Sequence, residues 1–154
     1  MEEEKWKIEL NRYFEDLRII EKCQQEAKDH FDQFCEFIVE PALEALEEEL
    51  KARNIRIKYY RVKNKFIHAQ INFPGSRVDN FHYRIVLPRN VLELKLMLKT
   101  AGRKDKKSAL IEKERPFMPE VKPEEVLKLS KEEVILDIIS KLKEFNYAAR
   151  TSPE

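Results

Sequence analysis

A chain of 154 residues is long enough to bury a real core in one domain, and its 38% of charged residues, against a usual share of about 25%, implies a heavily solvated surface. No apolar run approaches the roughly 18 residues that cross a bilayer, and the acidic start MEEEKWKIE lacks the basic end and apolar stretch of a signal peptide. A soluble, cytoplasmic protein without a membrane partner is therefore expected.

The net charge of +1 conceals a segregation. Residues 1–50 carry 16 acids and 6 bases, residues 51–115 carry 5 acids and 18 bases, and residues 116–154 carry 8 acids and 6 bases. Asymmetry on this scale points to a charged partner, or to acidic helices lying against a basic sheet in the same molecule or its twin.

The first element is a long helix. Trp6, Leu10, Tyr13, Leu17, Ile20, Gln24, Ala27, Phe31, Phe34 and Ile38 recur at 4-3-4-3 spacing, the period of a coiled-coil seam. The residues expected to carry self-association are Leu10, Leu17, Gln24, Phe31, Phe34 and Ile38, with the polar Gln24 favouring one register. A helix over residues 4–38 would be roughly 50 Å long, more than the about 40 Å diameter of a compact domain of this size. It must project, bend or pack on another chain. Pro41 is expected to kink or end it, because the ring clashes with the preceding turn. A second helix follows, whose Leu43, Leu46 and Leu50 have shifted phase from the first seam. Cys23 and Cys35 are about 18 Å apart along the helix, beyond disulfide reach, so two unpaired thiols are expected.

Strands come next. Residues 55–62 and 66–73 alternate apolar with basic or aromatic residues and form a hairpin. A three-residue loop, Lys63 to Lys65, keeps both apolar sets on one face. Residues 73–80 read as a loop and Phe81 to Leu87 as a third strand. The strict alternation of Leu92, Leu94, Leu96 and Leu98 favours a fourth strand, while the Leu, Lys, Met and Glu composition of residues 91–99 also suits a helix; residues 101–108 read as a basic loop and residues 109–115 as a fifth strand. Three prolines mark residues 116–129 as an extended linker. Ser130 and Glu133 make a capping box for a last helix over residues 130–149, and Val126 to Leu129 suit a short helical turn before it. The expected fold is α+β in a single domain, residues 1–154: an acidic helical part (1–53), a basic antiparallel meander of four to five strands (54–115), a linker and a C-terminal helix.

Catalytic signatures are missing. The only glycines, Gly75 and Gly102, are 27 apart, which excludes a glycine-rich phosphate loop or dinucleotide fingerprint. There is no H-E-x-x-H, C-x-x-C or G-x-S-x-G. His30, beside Asp29 and Asp32, reads as part of a solvated helix face. His68 and His82 lie on adjacent strands facing the same side. They touch if residue 68 opposes 82, and are out of reach if it opposes 86. No metal and no cofactor are expected.

The functional clue is the outward face of the sheet: Arg56, Lys58, Tyr60, Phe66, His68, His82 and Arg84, extended by Arg103 and Lys104 in the following loop. The leading expectation is a non-catalytic, homo-oligomeric interaction module that uses this face for a partner. The alternative is a nucleic-acid-binding protein that uses the basic sheet face and the loop at 103–107, in which cations neutralise phosphate and rings stack on bases. A third reading, an enzyme built around His68, His82 and Arg84, would require a concave pocket holding both histidines.

Overall fold

The computed structural model describes residues 2–75, 80–105 and 107–151, with side chains from Glu4 onward. The elements are α1 (Glu2–Phe34), a π-helical turn (Cys35–Val39), α2 (Glu40–Lys51), β1 (Arg56–Val62), β2 (Phe66–Asn72), β3 (Asn80–Val86), β4 (Met97–Arg103), β5 (Ile111–Pro116), a 3-10 turn (Pro123–Lys128) and α3 (Lys131–Thr151). The sheet is an antiparallel meander in the order β1-β2-β3-β4-β5. The architecture is α+β, as expected.

The chain does not leave the helix at Pro41. Phe34, Val39 and Glu40 keep right-handed helical backbone angles, and Pro41 lies in the first turn of α2. The π-helical turn explains this. Glu40 N–H donates to Cys35 O, five residues back, so one residue is inserted into the helical ladder just before the proline. The inserted residue also moves the apolar face on by one position. Burial passes from Phe31, Phe34 and Ile38 to Ala42, Leu43 and Leu46, which is the phase shift visible in the sequence.

Inward residues of the sheet form the core with these helices. Ile57, Ile67, Ala69, Ile71, Phe81, Tyr83, Ile85 and Leu98 join Phe31, Phe34, Leu43, Val134 and Ile138. The β1–β2 loop is the predicted three residues, with Asn64 at φ 62° and its N–H donating to Asp32 Oδ1 at 3.0 Å. α3 is fixed by Tyr83 OH donating to Asp137 Oδ2 at 2.5 Å, and its start is capped by Ser130 Oγ accepting from Glu133 N–H at 3.2 Å.

Three expectations are corrected. The fourth strand starts at Met97 rather than near Leu92, and it runs through Ala101 and Gly102 into the predicted loop, as far as Arg103. Leu94 and Leu96 are buried without strand pairing, while Leu92 is exposed. Residues 116–129 are not a plain linker: Phe117, Val126 and Leu129 are buried, and Phe117 packs edge-on against Phe34 at 5.9 Å. Prolines interrupt regular pairing there, but the apolar residues between them still anchor the segment. Third, Phe31, Phe34 and Ile38, expected in an oligomer seam, are buried in the chain's own core. Parts of the loops predicted at 73–80 and 101–108 (residues 76–79 and 106), and the chain end at 152–154, lie outside the described residues.

The seam is therefore split. From Ala27 onward it is buried in the core, Leu17 and Gln24 are half-buried, and Trp6, Leu10, Tyr13 and Ile20 are exposed. Residues 4–22, roughly 28 Å of helix, run beyond the body of the molecule.

Candidate functional site: the outer sheet face

The helices pack on the inward face, and among the described residues no outward-facing residue of the five strands is buried. Strand register lays these residues in rows across the sheet. One row is Tyr60, His68, Arg84, Lys99 and Glu114; the next is Lys58, Gln70, His82, Ala101 and Glu112. With strands about 4.8 Å apart, each row spans about 19 Å.

Residue 68 opposes neither 82 nor 86 but Arg84, and His82 opposes Gln70. The histidines are diagonal neighbours, within reach for long side chains, and His68 Nε2 lies 3.0 Å from His82 Nδ1. Arg84 Nε–H donates to His68 Nδ1 at 3.0 Å. That bond fixes both tautomers. A neutral His68 with an accepting Nδ1 carries its proton on Nε2 and donates it to His82 Nδ1; His82 then carries its own proton on Nε2. Burial pushes the His68 imidazole down to about 4, with the Arg84 cation and then His82 acting in the same direction. His82 is lowered by burial, Arg84 and Arg103. Both rings are therefore neutral near pH 7.

Arg84 is the best-held side chain of the face. Its guanidinium lies 3.8 Å above the centre of the Phe66 ring, and Nη2–H donates to Tyr60 OH at 3.3 Å. Tyr60 meets Phe66 edge-on at 5.9 Å and His68 at 5.5 Å. His68, His82 and Arg84 line a cleft of about 490 Å³ whose other walls include Lys99, Leu110, Glu112 and Glu114, so both histidines do share the concave pocket that the enzyme reading required.

Charge pairing differs between the two faces. Cations directed toward the helices are neutralised: Arg61 pairs with Glu40 at 3.3 Å, and Lys113 and Arg115 grip Glu144 at 2.9 and 3.1 Å. On the outer face, Arg56, Lys58, Arg84, Lys99 and Arg103 have no carboxylate within 4.0 Å among the described residues. The helix acids thus pair with Arg61, Lys113 and Arg115 and leave these outward cations unpaired among the described residues.

Seven of the residues singled out in the sequence, Arg56, Lys58, Tyr60, Phe66, His68, His82 and Arg84, share this face, and Arg103 joins them at the end of β4. Lys104 does not: it lines a separate cleft of about 590 Å³ between α3 and the β4–β5 edge. Sequence reasoning missed Glu112 and Glu114. In residues 110–115 both alternating sets contain charges, so parity alone could not say which set faces outward. His30 stays on an exposed helix face, and no group of three or more His, Cys, Asp or Glu side chains suited to a metal occurs among the described residues. No described helix is long and apolar enough to cross a membrane.

No family model, curated protein or solved structure matches this chain.

Proposed function

We propose that the protein is a self-associating, non-catalytic binding module. The projecting part of α1 pairs with that of a second copy, and the outer sheet face receives a partner. The observation that carries this reading is the row Trp6, Leu10, Tyr13 and Ile20, exposed by 58%, 44%, 56% and 40% on a helix segment that the body of the molecule does not cover. Their spacing continues a seam whose later positions are fully packed, so the helix presents a stripe suited to another helix. Residues 1–26 hold eight acids and five bases, which disfavours an anionic lipid surface as the occupant.

Burying the exposed half of about five large side chains on each of two helices contributes roughly 10 kcal/mol, against about 4–15 kcal/mol lost on association. The surplus is at most about 6 kcal/mol, so pairing is expected in the range of tens of micromolar or weaker.

The histidine geometry supports a binding role. A general base is usually oriented by a carboxylate, which raises its basicity; here the orienting group is the Arg84 cation, which weakens His68 as a base. The thiols Cys23 and Cys35 are unpaired, with Cys35 buried and pushed up to about 12 by that burial, which suits a packing role in a reducing compartment such as the cytoplasm.

Light scattering at concentrations up to about 500 μM, well above the expected dissociation constant, tests the reading. The expected mass is at least twice the 18.5 kDa of one chain. The double variant Leu10→Asp, Leu17→Asp is expected to return it to a single chain while keeping the thermal unfolding of the body. A wild-type protein of single-chain mass would overturn self-association.

A further inference from the structure

We propose that the outer sheet face binds single-stranded nucleic acid, with the Arg84 guanidinium holding a backbone phosphate. This rests on reading that face as the partner surface, and is independent of helix pairing.

The first argument is the state of Arg84. Its plane is set by the Phe66 ring at 3.8 Å, and two of its N–H groups are spent on His68 and Tyr60. A guanidinium has five N–H donors, so three are left, and among the described residues no carboxylate lies within 4.0 Å to take them. An arginine immobilised in this way loses little further freedom when it grips an anion, and its planar fork matches two phosphate oxygens. The neutral His68 imidazole, itself held by His82, and the Tyr60 hydroxyl fix the fork without supplying the counter-charge. That leaves a half-buried cation that an external anion completes.

The second argument is what surrounds it. Lys99 stands directly opposite Arg84 on β4, Arg103 lies further along that strand, and Arg56 and Lys58 stand on β1. They track a backbone that crosses the sheet. Tyr60, 52% exposed beside Arg84, offers a ring on which a base can stack. Cations interleaved with a ring are the arrangement a single strand needs, since a duplex hides its base faces.

The third argument is the opposite wall. Glu112 and Glu114 border the same cleft as Arg84 and Lys99. They repel a second line of phosphates, as a duplex would bring, but accept hydrogen bonds from the amino groups of unpaired bases. An acidic protein segment would meet the same repulsion between its own carboxylates and these two.

Fluorescence anisotropy tests this with labelled single-stranded DNA and RNA of about 12 nucleotides, the same DNA as duplex, a free mononucleotide, and a polyglutamate peptide. Mass is measured by light scattering on the same samples. Single strands are expected to bind most tightly, and the affinity to fall with salt by about 0.7 log units per phosphate neutralised. Arg84→Lys is expected to weaken binding by about tenfold or more, because charge is kept but the fork is lost. Lys58→Ala, at an exposed position that no packing depends on, is expected to lower the salt slope by about 0.7. Tyr60→Ala is expected to remove the preference for single strands over duplex.

Absence of single-strand binding at low salt would overturn the proposal. So would binding unchanged by both Arg84→Lys and Lys58→Ala, or a mononucleotide bound as tightly as the oligonucleotide. Polyglutamate bound more tightly than the single strand, with the same dependence on Arg84, would overturn it while leaving the face as a partner surface. If no probe binds, the partner-face reading fails too, whereas a dimeric mass would still stand on its own.

Discussion

His68 illustrates how a single residue can report on the face that holds it. The ordinary imidazole value is 6.5, and in the folded chain it is lowered to about 4. Below about pH 6.5 the unfolded chain takes up a proton that the folded chain refuses until near pH 4, so the unfolded state is favoured progressively as pH falls through that window. His82, lowered for related reasons, acts in the same direction. The melting temperature is therefore expected to fall between about pH 7 and about pH 5, above the range where most carboxylates titrate. His68→Gln, which keeps an acceptor for Arg84, is expected to flatten that decline. Equal slopes for the variant and the wild type would show that the histidine contact is not maintained in solution. The chemical character of these residues was legible in the alternation of residues 55–73 and 81–87. Their contacts were not, because two residues of register decide whether a pair touches, and the pairing that forms is diagonal.

Elements were legible wherever an apolar period was uninterrupted: α1, the β1–β2 hairpin and α3 follow their patterns closely. The failures share a cause. At Pro41 a local rule predicted a kink or an end; the helix does not end, because a single inserted residue in the helical ladder accommodates the ring, and the downstream phase shift was its trace. At residues 92–98 strict alternation predicted a strand, yet pairing with β3 begins only at Met97. The strand instead continues through Gly102, where a glycine reads locally as a loop. Its reason is tertiary: a Cβ at Gly102 would collide with the Phe145 ring of α3. Gly102→Ala is thus expected to destabilise the fold by about 1–3 kcal/mol, the usual cost of overpacking, as read from chemical denaturation. Phe145→Leu in the same background is expected to recover part of the loss. A neutral Gly102→Ala would mean that α3 does not press on β4 at that point.

At the scale of the whole molecule, the charge segregation is only partly internal. Acids on the helices neutralise Arg61, Lys113 and Arg115, and the outward cations remain without such partners among the described residues. The N-terminal seam divides in the same way, half used within the chain and half presented outside it. Phe31, with no exposed surface, belongs to the inner half, and Phe31→Ala is expected to cost about 3–5 kcal/mol of stability whatever the oligomeric state. The outer half is different, because an isolated helix of about 20 residues is marginal in water and gains most of its stability from packing. Two copies paired through this segment would also present two sheet faces at once, raising the avidity for any partner long enough to reach both.

Amide hydrogen exchange over residues 6–20, followed as protein concentration rises, tests the pairing most directly. Protection of these amides is expected to be weak in dilute protein and to increase over the same concentrations at which the mass doubles, while the amides of β2 and β3 stay equally protected throughout. Fast exchange of residues 6–20 at every concentration, or protection independent of concentration with a mass that never exceeds one chain, would contradict it.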